Sequence, residues 1–185
     1  NTMSFSRINW GRLDYVTTIT TVSRYMKHLM WSYGVNPLVI PNGIPRSWLH
    51  PLPPADVARL RASLGRDLVL TKVARWDPDK RWMMAIETVA ALKAHGHDSV
   101  LIAVGGVEPH QGEVLHRAQE PGLVVRPVTI AEPSLAGLAR AFADAGPADV
   151  LNVRSFVPPV LLRPLYAASD AVLVNSGREP FGLVG

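Results

Sequence analysis

The chain has 185 residues, 48% of them hydrophobic and 18% charged, with 16 prolines, 14 glycines and no cysteine. This excludes a disordered chain, disulfides, thiolate metal sites and a cysteine nucleophile, and the length allows one complete core and part of a second. The net charge of +4 would admit a nucleic-acid partner, but Lys and Arg stand singly, with only Lys80 and Arg81 adjacent, so no nucleic-acid surface is expected.

In chain order, the β-branched run within residues 14–22 predicts a strand, and Ser23 is a ready N-cap for a helix reaching about Tyr33. On that helix Tyr25, Met26, Leu29, Met30 and Tyr33 share one face, opposite Arg24, Lys27 and His28. The apolar face reads as core packing, with peripheral membrane contact left open. A short strand at 38–40 leads into Pro41-Asn42-Gly43-Ile44-Pro45, a turn suited to a connection between domains. The expected division is therefore 1–45 and 46–185.

Beyond it the pattern alternates. Helices are predicted at about 54–64, 78–94, 109–119, 133–145 and 160–168, and strands at 68–74, 100–104, 123–126, 150–154 and 171–174. Near-continuous apolar strands separated by helices predict an α/β fold, a doubly wound parallel sheet covered on both faces. Ligands of such sheets sit at the carboxyl ends of the strands, where chemistry is to be sought. The apolar runs at 100–104 and 171–174 are far too short to cross a bilayer, and no leader peptide is visible. A cytoplasmic location is expected. The missing initial Met and the stop at Gly185, inside the first turn of an expected helix, suggest a piece of a longer protein.

Arg75 follows the 68–74 strand, and Asp77-Pro78 predicts a helix start that puts Lys80 in the opening turn. Two cations beside free N–H groups outline a diphosphate site: a guanidinium forks onto two phosphate oxygens, and an ammonium adds a mobile charge without a metal. The alternative is a surface Arg and Lys near a helix start. The loop after 171–174 carries Asn175, Ser176, Gly177 and Glu179, then Pro180, Phe181 and Gly182. Glu179 suits a sugar, accepting from paired hydroxyls, or else is a capping or solvated acid. N–H groups after Phe181 suit phosphate, and Gly182 permits close main-chain approach. Arg154 and Phe156, with Pro158 and Pro159, offer a surface for a nucleotide base. Gly105-Gly106 fits a close backbone approach but not a dinucleotide fingerprint, and the acid and His groups at 108–116 lack a third metal ligand at a recognisable spacing. Trp76 and Trp82 read as packing residues.

Four ordered blocks then carry a resemblance: 20–23 with 41–44, the stretch from Val73 through Lys80, residues 165–170, and 175–183. Together they resemble the retaining nucleotide-sugar glycosyltransferases of the GT-B fold, in the group called glycosyltransferase family 4. The resemblance implies a truncated Rossmann-like donor domain preceded by the last elements of an acceptor domain. It implies a nucleoside-diphosphate sugar as donor, a carbohydrate or other hydroxyl acceptor, and no separate cofactor or metal. Arg75 and Lys80 would hold the diphosphate and Glu179 the donor sugar, with Ser176, Phe181, Gly182 and Leu183 around them. The second Glu of the motif would fall two positions beyond Gly185. A nucleotide-sugar epimerase, a noncatalytic nucleotide-sugar module and a Rossmann oxidoreductase are the competing readings.

Overall fold

A computed structural model describes residues 7–177. They fall into two compact units, one comprising the described residues up to Arg46 and the other Ser47–Gly177.

In the first unit β1 (Thr20–Thr21) precedes α1 (Arg24–Trp31), and β2 (Leu38–Val39) pairs with β1 in parallel, Thr20 opposite Leu38. Ser23 caps α1 as its sequence predicts, its hydroxyl accepting the Met26 N–H at 3.1 Å. Only Met26 and Met30 of the expected apolar face are buried, and Tyr25 and Tyr33 are exposed. The strand expected over 14–22 shrinks to two residues. β propensity makes a strand only where a partner ladder exists, and β2, set between Pro37 and Pro41, offers two residues of it.

The second unit runs α2 (Pro54–Leu64), β3 (Leu68–Val73), a 3-10 turn (Pro78–Lys80), α3 (Trp82–Ala94), β4 (Ser99–Val104) and α4 (His110–Gln119). It continues with β5 (Val125–Val128), α5 (Leu135–Ala145), β6 (Val150–Val153), α6 (Pro159–Ala167) and β7 (Ala171–Val172). The strands form one sheet in the order β5-β6-β4-β3-β7, every pair parallel. Side-chain alternation divides the core. Val69, Val100, Ile102, Leu151 and Val153 face α2, α5 and α6 through Leu60, Leu138, Phe142 and Leu165. Leu70, Leu101, Ala103 and Val150 face α3 and α4 through Trp82, Ile86, Val89 and Val114. Each large side chain so buried contributes about 1.5–3 kcal/mol. This is the expected doubly wound sheet, and β4, buried at all six positions, is its centre.

Two expected boundaries moved. Gly122, at φ +73, ends α4, and the Leu123 N–H bonds to the Ala118 carbonyl at 3.2 Å, so Leu123 belongs to the closing turn of the helix. The fifth strand therefore begins at Val125, and its Pro127 is tolerated because β5 is an edge strand. The helix expected over 78–94 is broken at Arg81, which stands at φ +50 and separates the 3-10 turn from α3.

The chain winds from β3 through β4 to β5 and β6 on one side, then α6 carries it back to β7 on the other flank of β3. The order thus reverses between β3 and β7, where doubly wound sheets open for ligands. Asp170 sets the start of β7: its carboxylate accepts the Val69 N–H at 2.7 Å and pairs with Arg61 of α2 at 2.6 Å. The Val69 N–H bond and then Arg61 hold its carboxyl below the usual carboxylate range. A group depressed on folding stabilises above its unfolded pKa, and that stability is lost as pH falls through the folded value. Asp170→Asn is expected to cost about 1 kcal/mol at neutral pH, a modest figure because the side chain is 42% exposed and water screens the pair. The gap from wild type should close below about pH 4, as urea melts across pH would show.

Candidate functional site

The loop after β3 is clamped from below while its cation stays in solvent. The Ala74 N–H bonds to the Val104 carbonyl at 3.0 Å, extending the ladder by one residue, and Arg75 then turns outward with its side chain 71% exposed. Its guanidinium lies 3.7 Å from the Asp77 carboxylate, a pair too solvated to hold it. Trp76 turns inward, 2% exposed, and stacks on Trp82 with centroids 3.9 Å apart. The Trp82 indole N–H donates to the Arg75 carbonyl at 2.8 Å, and Glu108 accepts the Trp76 N–H at 3.0 Å. That last bond, more than any other cause, holds the Glu108 carboxyl below its ordinary pKa. Glu108, weighed in the sequence only as a metal ligand, is thus the acid that pins this loop.

Lys80 does not lie in the opening turn of an α-helix, contrary to the sequence expectation. Asp77 accepts the Asp79 N–H at 2.9 Å and closes a three-residue 3-10 turn, after which Arg81 takes the left-handed conformation and caps α3. Lys80 therefore ends a tight turn two residues ahead of α3. A non-glycine residue at positive φ carries strain of order 1 kcal/mol, sustained where its surroundings over-determine it. At Arg81 they do: its carbonyl accepts from Asn175 Nδ2 at 3.2 Å.

That bond is one of several joining the loops after β3 and β7. The Gly177 N–H donates to the Asp79 carbonyl at 2.8 Å, and a Cβ on Gly177 would stand 3.2 Å from Arg81 Nε. Beneath them the Lys72 ammonium, on β3, donates to Asn175 Oδ1 and lies 3.4 Å from the Leu173 carbonyl and 5.2 Å from the Trp82 ring centroid. Ser176 sits between two stapled residues, on the loop joined to the turn that carries Lys80. Lys72 was missed in the sequence. Its signal was a single charge inside the apolar strand Leu68–Val73, where a lysine must be buried: it is 1% exposed. Burial first, and Lys80 second, lower its pKa to about 8.

Arg154 and Phe156 follow β6, two strand spacings or about 10 Å from β3 along the same carboxyl edge. Phe156 is 83% exposed, while Ser155 accepts the Ile130 N–H at 2.7 Å and Val157 is buried, so the loop presents its ring from a fixed base. Glu179, Phe181, Gly182 and Leu183 lie outside the described residues. His110 Nδ1 is 2.9 Å from the Glu113 carboxylate, and no group of three His, Asp or Glu side chains that could hold a metal occurs among the described residues. No helix of the described residues is long and apolar enough to cross a membrane.

No protein-family model matches the chain. In an alignment 161 residues long that covers 82% of this chain, it is 34% identical to the D-inositol 3-phosphate glycosyltransferase of Rhodococcus erythropolis, of which it covers 31%. The chain therefore spans about a third of the curated relative it matches. Among solved structures it is similar to the sucrose-phosphate synthase of Thermosynechococcus elongatus, with a TM-score of 0.56 and 20% identity over 90% of this chain and 37% of that one. The likeness shows the fold: an α/β, Rossmann-like domain built on a parallel sheet.

Proposed function

We propose that the chain is part of a glycosyltransferase that moves a hexosyl group from a nucleoside-diphosphate sugar to an acceptor hydroxyl with retention at the anomeric carbon. Residues 46–185 would be the donor-binding domain and 1–45 the end of the acceptor domain. The observation that carries this reading is the joining of the loops after β3 and β7 where the strand order reverses, through the bonds from Gly177 to Asp79 and from Asn175 to Arg81. It sets Arg75, Lys80 and Ser176 along one stretch of the carboxyl edge, the side on which such sheets take their ligands. The named glycosyltransferase among the relatives supports glycosyl transfer in general.

In this reading the guanidinium of Arg75 forks onto the diphosphate and the Lys80 ammonium offsets the charge that grows as the glycosidic bond breaks. Clamping by Trp82 and Glu108 holds the Arg75 main chain, so the side chain meets the donor without reordering its loop. Glu179 would accept from the sugar hydroxyls, Ser176, Phe181, Gly182 and Leu183 would line the sugar and phosphates, and Arg154 and Phe156 would meet the base. The enzyme would work in the cytoplasm, with the acceptor at the membrane surface or free. The test is made on the full-length protein with a panel of nucleoside-diphosphate hexoses and hydroxyl acceptors. A glycoside of the donor's own anomeric configuration, seen by proton NMR, is expected. An epimerised nucleotide sugar formed without acceptor would overturn the reading.

A further inference from the structure

Lys72 stands apart from every other cation in the unit. Its side chain is buried, and its recorded partners are neutral: the Asn175 amide oxygen, the Leu173 carbonyl and the face of Trp82. Among the described residues no carboxylate forms an ion pair with it. The charged groups on the elements packed around it are mostly cations or acids already engaged. Lys80 and Arg81 precede α3, and Lys80 repels its charge. Asp77 accepts the Asp79 N–H and lies 3.7 Å from the solvated Arg75. Asp79 is exposed on the same turn, and Glu87 of α3 is exposed. Glu108 is bound to the Trp76 N–H, and Asp170, at the start of β7, to Arg61 and Val69.

A buried ammonium costs several kcal/mol unless it is neutralised. Here that cost is borne beneath the loops that meet at the reversal of strand order. We propose that Lys72 is a positioning residue that holds the loop after β7 through Asn175, and that the counter-charge it lacks is supplied by a diphosphate bound at that edge. The inference rests on the donor reading above. Its consequence is proton-linked binding: in the free protein the ammonium is depressed to about 8, and a nearby dianion raises it again. Binding then draws a proton onto Lys72 near and above that pH, and affinity falls as pH rises. Each unit by which the ligand raises the pKa is a tenfold difference in affinity between the acidic and alkaline limits. The diphosphate of a nucleoside-diphosphate sugar, esterified at both ends, is a dianion over this whole range and takes up no proton.

The experiment is calorimetric titration of the full-length protein with a panel of nucleoside-diphosphate hexoses, at pH 7 and 9, in two buffers of different ionisation enthalpy. Wild type is expected to bind, to take up a fraction of a proton at pH 9, and to lose about tenfold in affinity from pH 7 to 9. Lys72→Arg, whose guanidinium does not titrate, should bind at both pH values with no uptake. Lys72→Met, with its melting temperature checked, should bind about tenfold more weakly at pH 7 and show no pH trend. Uptake by Lys72→Arg equal to that of wild type, or binding by wild type with neither uptake nor trend, overturns the role of Lys72 and leaves the donor reading standing. Failure of the wild-type protein to bind any of these donors at either pH counts against the donor reading itself and takes this inference with it. If Lys72→Met does not fold, the comparison of wild type with Lys72→Arg decides.

Discussion

Replacing Lys80 with alanine in the full-length protein should lower kcat by about 10²–10³-fold, roughly 2.7–4 kcal/mol of transition-state stabilisation, with a much smaller change in KM. The asymmetry follows from when the charge is needed. In the proposed mechanism the diphosphate would already be shared with Arg75 and the solvent in the ground state; as the sugar leaves, a further negative charge would grow on the departing oxygen, and the ammonium would offset it most at that moment. The turn itself is closed by Asp77 and Pro78, so the variant is expected to fold, with its melting temperature as the check. Arg75→Lys is the companion, expected to weaken donor affinity more than it lowers kcat, since it keeps the charge and loses the fork. Steady-state kinetics with saturating acceptor reads both. An unchanged kcat in Lys80→Ala would remove this residue from the chemistry.

Gly105→Ala should be strongly destabilising. A Cβ there would stand 2.0 Å from the Trp76 indole nitrogen and within 2.5 Å of two of its carbons. Trp76 has nowhere to go. It is 2% exposed, stacked on Trp82, and its main chain is held by Glu108. Overpacking of this kind costs about 2–3 kcal/mol, or a fall of roughly 5–10 °C in the melting temperature. Because Trp82 in turn holds the Arg75 carbonyl, diphosphate affinity should fall with stability. Gly112→Ala is the control, since a Cβ at that position in α4 meets nothing within 4 Å and alanine is the better helix former. It should be neutral or stabilising by about 0.5–1 kcal/mol. A Gly105→Ala protein that melts with wild type would show that the indole packs elsewhere in solution. The sequence suggested close backbone approach at Gly105; the neighbour that approaches is an indole.

Much of the layered sheet was legible because its signals are local. The strand Ser99–Val104 is apolar after its first residue and buried throughout, the near-continuous pattern of a strand covered on both faces. Ser23 announced its cap, and the loops carrying Arg75, Lys80 and Ser176 were read from residues just past strand ends. Where local signals competed, the reading slipped. Asp77-Pro78 is a sound helix start, yet Arg81 turns left-handed and ends the first turn, its N–H bonded to Pro78 and its carbonyl to Asn175 on a loop 94 residues away in sequence. The β-branched run before Ser23 had propensity without a partner.

Periodicity, caps and turn residues, each a property of neighbours along the chain, were sufficient for the α/β class, the parallel sheet and the edge at which to look for chemistry. Strand order belongs to the tertiary structure alone, since only packing decides that β7 returns beside β3 and not beside β6. From that follow the joined loops, the acid that pins Trp76, and the environment of Lys72. A lone lysine in an apolar strand says that a charge is buried; which groups surround it depends on contacts 101 and 103 residues apart.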